Sequence, residues 1–214
     1  MAKPHPSTGG YDPRNAENLA HHQELCDLTT SLGIKHATFK SIVSALAASP
    51  DVQVIFLLSI PNPVKAKLLA AARLVIYTPR NEHLGIVPLE AMVAGVPVLA
   101  ANVGGPTETV VEGRTGWLRD VDDVEQWAAI MRDILTDGVG RDALQRMGYQ
   151  GRQRVRELFS KDKMASRLDE EVRKLESAPR PPMLSPLAPV LLAVLLVVLA
   201  VVYPIWNRRR GRAV

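Results

Sequence analysis

The chain has 214 residues, 47% of them hydrophobic and 22% charged, which supports one packed domain with an appendage and excludes wholesale disorder. Its net charge of +4 is small and partly local to Arg208, Arg209, Arg210 and Arg212, and only 5% of residues are aromatic, so no basic, aromatic-lined nucleic-acid surface is expected. The single cysteine, Cys26, excludes an intramolecular disulfide framework and suits a reducing compartment, as does the lack of any Asn-x-Ser/Thr acceptor.

Met1–Thr8 is polar, contains two prolines, lacks the apolar stretch of a signal peptide and reads as a disordered start. Arg14–Leu32 reads as an amphipathic helix stopped by Gly33, with Leu19, Cys26 and Leu32 among its apolar positions. The adjacent His21 and His22 point in different directions around that helix and are expected to be solvated; no metal site is predicted. Val52–Leu58 is a continuous apolar run, as in a fully buried strand, and the loop Ser59–Asn62 lies at its carboxyl end. Val64–Ala72 follows as a short helix with Lys65 and Lys67 on its polar side; one of them could stand in for a phosphate-binding cation, but both are expected in solvent.

Leu74–Tyr77 is a short β-rich run ended by Thr78-Pro79. Pro88 suits a first helical turn, and Leu89, Met92 and Val93 recur at helical spacing before Gly95, which predicts a helix over Pro88–Ala94. Pro97–Ala101 resumes as a buried strand, and Gly104-Gly105 follows where parallel-sheet proteins place their ligand loops. Glu108–Glu112 reads as a helical turn and Gly116–Leu118 as a short strand. Asp120–Asp123 caps a helix over Val124–Leu135 whose apolar face is Trp127, Ile130, Met131, Ile134 and Leu135. Arg141–Glu176 reads as one long charged helix with Leu144, Met147, Val155, Leu158 and Phe159 on its buried side. Ser177–Pro186 is a Pro-rich linker. Leu187–Trp206 then runs for 20 residues without a charge, enough to cross ~30 Å of hydrocarbon as a helix, with Tyr203 and Trp206 as interfacial anchors and a basic tail at 207–214.

The centre of this pattern is strand, loop, helix, strand, loop over Tyr77–Glu112. A helix opening near Val87 leaves backbone N–H groups unpaired and carries partial positive charge, so it can hold a diphosphate. Gly85 lets the backbone approach such a ligand. Glu90, placed in the first helical turn, could accept two hydrogen bonds from the hydroxyls of a ribose, and Glu82 could serve a second sugar, which together describe a nucleotide-sugar. Taken singly, the two carboxylates are also explained as a loop acid and an acid near a helix N-terminus.

Glu82-His-Leu-Gly-Ile-Val-Pro-Leu-Glu90 resembles the donor-binding half of retaining GT-B glycosyltransferases of the GT4 type, whose hallmark is Glu, seven residues, Glu. With Gly9-Gly-Tyr-Asp-Pro-Arg14, Phe56–Asn62 and Gly104-Gly-Pro106, the stretch from roughly Gly9 to Lys174 is most similar to the mannosyltransferases of dolichol-linked oligosaccharide assembly. The resemblance implies an α/β fold: the Rossmann-like C-terminal half of a GT-B enzyme, a parallel sheet with flanking helices, here followed by a transmembrane helix. It implies that Glu90 binds the ribose of GDP and that Glu82 binds mannose hydroxyls at the reacting centre. The N–H groups of Leu84, Gly85, Ile86 and Val87 would face sugar and diphosphate, with Gly104 and Gly105 at the site. The implied reaction moves mannose, with retention and without a cofactor or bound metal, from GDP-mannose to a dolichol-diphosphate-linked mannosyl-chitobiose in N-glycan precursor synthesis. The implied location is the endoplasmic reticulum membrane, facing the cytosol, with other glycosyltransferases of the pathway as possible partners. In that family an apolar strand, and before it a basic Arg/Lys pair, precede Gly-Gly-Tyr-Asp, and neither is read here. The alternatives are therefore a truncated, non-catalytic, membrane-anchored nucleotide-sugar-binding fragment, or a glycosyltransferase for another nucleotide-sugar such as UDP-glucose.

Overall fold

The computed structural model describes residues 5–9, 11–41, 44–45, 47–178 and 187–210. It divides into one unit spanning Met1–Lys163 and a second spanning Met164–Val214.

The first unit carries two parallel three-stranded sheets. One has β1 (His5–Gly9), β2 (His36–Phe39) and β3 (Val54–Leu58) in the order β1-β3-β2. The other has β4 (Val75–Tyr77), β5 (Val98–Ala101) and β6 (Gly116–Arg119) in the order β4-β5-β6. Parallel pairing demands crossovers, and helices supply them. They are α1 (Ala16–Ser31), α2 (Asn62–Ala71), α3 (Ile86–Ala94) and the single turn α4 (Pro106–Thr109). Then come α5 (Val124–Leu135) and α6 (Arg141–Arg154), which runs on as a π-helical turn over Val155–Phe159.

The central strand β5 shows why its run is apolar throughout: all four residues are fully buried. Its side chains alternate between faces. Leu99 and Ala101 pack with Trp127, Ile130, Ile134 and Leu144, while Val98 and Ala100 pack with Ala91, Met92 and Val110. Helices α5 and α3 thus cover opposite faces of one sheet. Two arginines at the end of α6 tie down the C-terminal ends of α3 and α4. Arg152 donates to the carbonyls of Val93 and Ala94 at 3.0 and 2.7 Å, and Arg154 to those of Thr109 and Glu108 at 2.8 and 2.6 Å.

Several expectations change. The segment read as a disordered start contains β1, so a strand does precede Gly10-Tyr11; it is a polar edge strand held by main-chain pairing to β3. Strand β2, not foreseen, is likewise a short edge. Helix α1 starts at Ala16, two residues later than the predicted Arg14, and is capped by Asn15, whose side chain accepts from the Glu17 N–H at 2.9 Å. It buries no residue, and Leu19 and Leu32 are exposed because its few apolar positions do not line up on one stripe. Leu135 is exposed too, at the last position of α5. The long helix predicted over Arg141–Glu176 is broken at Ser160, whose backbone is extended and whose hydroxyl accepts from the Lys163 N–H at 3.3 Å, opening α7 (Lys161–Ser177).

In the second unit the uncharged segment is helical over its length, as α8 (Leu187–Arg210), with Pro204 inside it. Its side chains are described over 189–204 only; among the described residues no helix is long and apolar enough to cross a membrane. Most of the predicted linker, residues 179–186, lies outside the described residues, as does the end of the basic tail.

Candidate functional site

Strand β4 ends at Tyr77, and the chain loops back to Gly85, which takes φ +74° and leads directly into α3 at Ile86. The helix therefore opens two residues before the predicted Pro88. Proline is the third helical residue, where its missing N–H forfeits no bond within the helix. Glu90 accordingly lies in the second turn rather than the first. No side chain caps the opening.

The Gly104-Gly105 pair lies against this loop. The Gly105 N–H donates to the Glu82 carbonyl at 2.8 Å. A Cβ on Gly104 would overlap the Glu82 carbonyl, and one on Gly105 the Leu84 backbone. Both glycines were expected at the ligand; what the structure places in contact with them is the loop that carries Glu82. Gly85 has a similar explanation, since its left-handed backbone suits glycine and its Cα faces Tyr77 and Glu82.

Glu82 is half-buried and anchored twice. Its Oε2 accepts from the Tyr77 phenol at 2.7 Å, and its Oε1 from the Leu84 N–H at 3.4 Å. Of the four amide groups expected to face a ligand, Leu84's is thus turned to the loop's own carboxylate. The Tyr77 hydrogen bond, then that of the Leu84 amide, holds the Glu82 carboxyl below the ordinary glutamate range. Burial, with the hydrogen bond and charge of Glu82 added, pushes the Tyr77 phenol up to about 12. A lowered carboxylate pKa means that this arrangement stabilises the fold above the ordinary glutamate range and ceases to do so as pH falls through the folded value. Tyr77→Phe should raise the Glu82 pKa toward its usual range and so remove this pH-dependent contribution: the variant should be less stable than the wild type above the ordinary glutamate range, and the difference should close as pH falls. An NMR titration of the glutamate side-chain carbons checks this, and an unmoved Glu82 curve would contradict it.

Glu90 is the second carboxylate. Its Oε1 accepts from Lys65 Nζ at 2.6 Å, across the packing of α2 on α3, with about a third of each side chain exposed. Its Oε2 is buried with no hydrogen-bond partner. Lys65, expected in solvent, is therefore a site residue, whereas Lys67 is exposed. Only the rule that a partly buried carboxylate needs a cation or donor pointed to Lys65. The site combines an uncapped helix opening, an anchored loop carboxylate and a second carboxylate with one oxygen paired and one orphaned.

A profile of the family described as glycosyl transferases group 1 matches residues 32–154, more than half of the chain. The chain belongs to the group 1 glycosyltransferases. Among relatives of this group 1 domain, the alpha-1,3/1,6-mannosyltransferase of Neurospora crassa is 56% identical over 169 residues, covering 78% of this chain and 36% of the relative. That of Schizosaccharomyces pombe is 40% identical over 164 residues, covering 77% and 32%. The chain thus spans about a third of the length of these relatives. Among solved structures, sucrose-phosphate synthase of Thermosynechococcus elongatus superposes with a TM-score of 0.64 at 26% identity, over 81% of this chain and 39% of that one. The C-terminal domain of a group 1 protein from Francisella tularensis does so with 0.53 at 20% identity, over 69% of this chain and 66% of that domain, which shows the fold alone. The expected α/β architecture of parallel strands with flanking helices, like half of a GT-B enzyme, is found, with the strands in two three-stranded sheets rather than the single sheet expected.

Elsewhere in this group 1 domain, His22 departs from its solvated expectation. It is half-buried, edge-on to Phe56 with ring centroids 5.4 Å apart and hydrogen-bonded to Thr38 at 3.2 Å, while His21 is exposed beside Glu24 at 3.5 Å. Among the described residues, no three His, Cys, Asp or Glu side chains gather as a metal site. The Ser59–Asn62 loop begins with Ser59 at φ +54°, a strained conformation for a non-glycine residue. Its hydroxyl both accepts from the Tyr11 N–H and donates to the Tyr11 carbonyl at 2.9 Å, which straps the loop to the segment after β1.

Proposed function

We propose that the chain is the donor-binding half of a retaining mannosyltransferase. It would move mannose from GDP-mannose onto a dolichol-diphosphate-linked mannosyl-chitobiose, forming α-1,3 and/or α-1,6 linkages in N-glycan precursor synthesis. The observation that carries this reading is the buried, unpartnered Oε2 of Glu90 behind the uncapped opening of α3, eight residues after the anchored Glu82. An orphaned buried acceptor calls for a donor, and a sugar hydroxyl supplies one. The names of the Neurospora and fission-yeast relatives, alpha-1,3/1,6-mannosyltransferases, support mannose as the sugar and the linkages proposed.

In this reading Glu90 takes the ribose. The amides of Gly85, Ile86 and Val87 receive the diphosphate, whose negative charge grows as the bond to mannose breaks; oriented N–H groups are suited to that work. Glu82, held by Tyr77, accepts from mannose hydroxyls and sets the anomeric carbon relative to the acceptor. The uncharged run Leu187–Trp206 within α8 is taken in this reading as the membrane anchor. It places the domain on the cytosolic face of the endoplasmic reticulum membrane, beside a lipid-linked acceptor and other enzymes of the pathway.

Calorimetric titration of the purified full chain with GDP-mannose, GDP-glucose and UDP-glucose tests the donor assignment. Preference for GDP-mannose by about tenfold or more is expected, since the difference corresponds to one or two well-placed hydrogen bonds. Equal or tighter binding of UDP-glucose would instead favour a glycosyltransferase for another nucleotide-sugar, and no binding to folded protein would overturn the reading.

A further inference from the structure

We infer that Lys65 is a positioning and specificity-determining residue of the donor site: with Glu90 it forms a matched donor and acceptor for the vicinal hydroxyls of a ribose. This deepens the donor-site reading and rests on it.

Three observations converge. Lys65 Nζ lies 2.6 Å from Glu90 Oε1, so one carboxylate oxygen is taken and the group presents a single directed acceptor, Oε2, rather than two interchangeable ones. That remaining oxygen is buried and has no partner. An ammonium has three N–H donors, and the Glu90 bond uses one of them. A carboxylate alone can only accept, so it treats both hydroxyls of a diol as donors. A carboxylate beside an ammonium can accept a hydrogen bond from one hydroxyl's O–H while the ammonium donates to the oxygen of its neighbour. That pattern fits a 2′,3′-diol and is spoiled when either hydroxyl is missing.

An ion pair kept only for stability has little reason to be here. Pairs with this degree of exposure contribute little on average, and an oxygen left buried without a partner works against the fold. The pair makes sense as a pre-set device whose unpartnered acceptor is satisfied when nucleotide binds. Lys65 also fixes the rotamer of Glu90, so that the acceptor is in place before the ligand arrives.

The test compares GDP with 2′-deoxy-GDP and 3′-deoxy-GDP on the full chain carrying Lys65, Lys65→Met or Lys65→Gln, with thermal denaturation of each protein without nucleotide. The wild type should prefer GDP over both deoxy forms by about tenfold to a hundredfold, as sites built to bond a hydroxyl do. In Lys65→Met the affinity for GDP should fall by about tenfold or more, and the preference over one of the two deoxy forms, the one lacking the hydroxyl that Lys65 contacts, should shrink to about threefold or less. Lys65→Gln, whose amide still donates, should recover part of both. Unchanged discrimination in Lys65→Met would overturn the inference and leave the donor reading intact, as would an equal loss of GDP and deoxy-GDP binding, the mark of a merely structural residue. If Lys65→Met does not fold, Lys65→Gln decides by the same ratio. A wild type that binds no GDP would overturn both.

Discussion

Glu90→Gln in the full chain should leave a folded protein that binds nucleotide about tenfold to a hundredfold more weakly than the wild type. The side chain keeps its shape, and Lys65 still finds an acceptor if the amide oxygen turns toward it. The NH2 group then occupies the place of Oε2, so the one buried acceptor offered to a ligand becomes a donor. Losing the one hydrogen bond to this charged acceptor costs about 1.5–3 kcal/mol, so the ribose would bind about tenfold to a hundredfold more weakly. Glu90→Ala should weaken binding at least as much, but it also strips Lys65 of its counter-charge. Because a third of that lysine is exposed, its ammonium can swing into water, and the accompanying fall in melting temperature should be small. Retention of wild-type affinity by Glu90→Gln, measured by calorimetry beside a thermal melt, would reduce Glu90 to a tether for Lys65.

The parts of the fold that were legible in the sequence are those where burial dictates residue type. Val98–Ala101 is apolar because both faces of β5 are covered, and the spacing of Trp127, Ile130 and Ile134 records one buried stripe of α5. The first sheet was harder to read. His5–Gly9 and His36–Phe39 are short edge strands whose pairing is a main-chain property, so their side chains carry no periodic signal. The break at Ser160 was hidden because both flanks are equally charged and helical; a serine three residues before Lys163 was its only local sign.

The candidate site divides in the same way. Two carboxylates eight residues apart and a Gly-Gly after the next strand can be recognised along the chain. The Lys65–Glu90 pair cannot, since it joins residues 25 apart through helix packing, which no local pattern reports. The start of α3 was misplaced because proline is tolerated anywhere in the first helical turn, so Pro88 bounds the opening only to within that turn. That error mattered chemically: moving the opening to Ile86 moves Glu90 away from the helix end and makes Lys65, rather than the helix dipole, its main electrostatic partner.

Gly105→Ala is the substitution that separates the geometry of the loops from the chemistry of the carboxylates. Gly105 has φ −53° and ψ −37°, an ordinary helical conformation that alanine adopts freely, so backbone strain plays no part. What excludes a side chain is space: the new Cβ would fall inside the backbone of Leu84, which cannot rotate away as a flexible side chain could. The 78–85 loop must shift, breaking the bond from the Gly105 N–H to the Glu82 carbonyl and displacing Glu82 and the Gly85–Ile86 start of α3 together. Overpacking of this kind costs about 1–3 kcal/mol, and a displacement of about 1 Å at a binding loop can cost on the order of a hundredfold in function. The expected result is a lower unfolding free energy in urea and a loss of GDP-mannose affinity, although no carboxylate has been touched. Gly140→Ala is the matching control. Gly140 also has a negative φ, −58°, but open space where its Cβ would go, so its effect should stay within about 0.5 kcal/mol with unchanged binding. If Gly105→Ala behaved like Gly140→Ala, the contact between the two loops would not be what holds Glu82 in place, and the Tyr77 hydrogen bond would have to hold it alone.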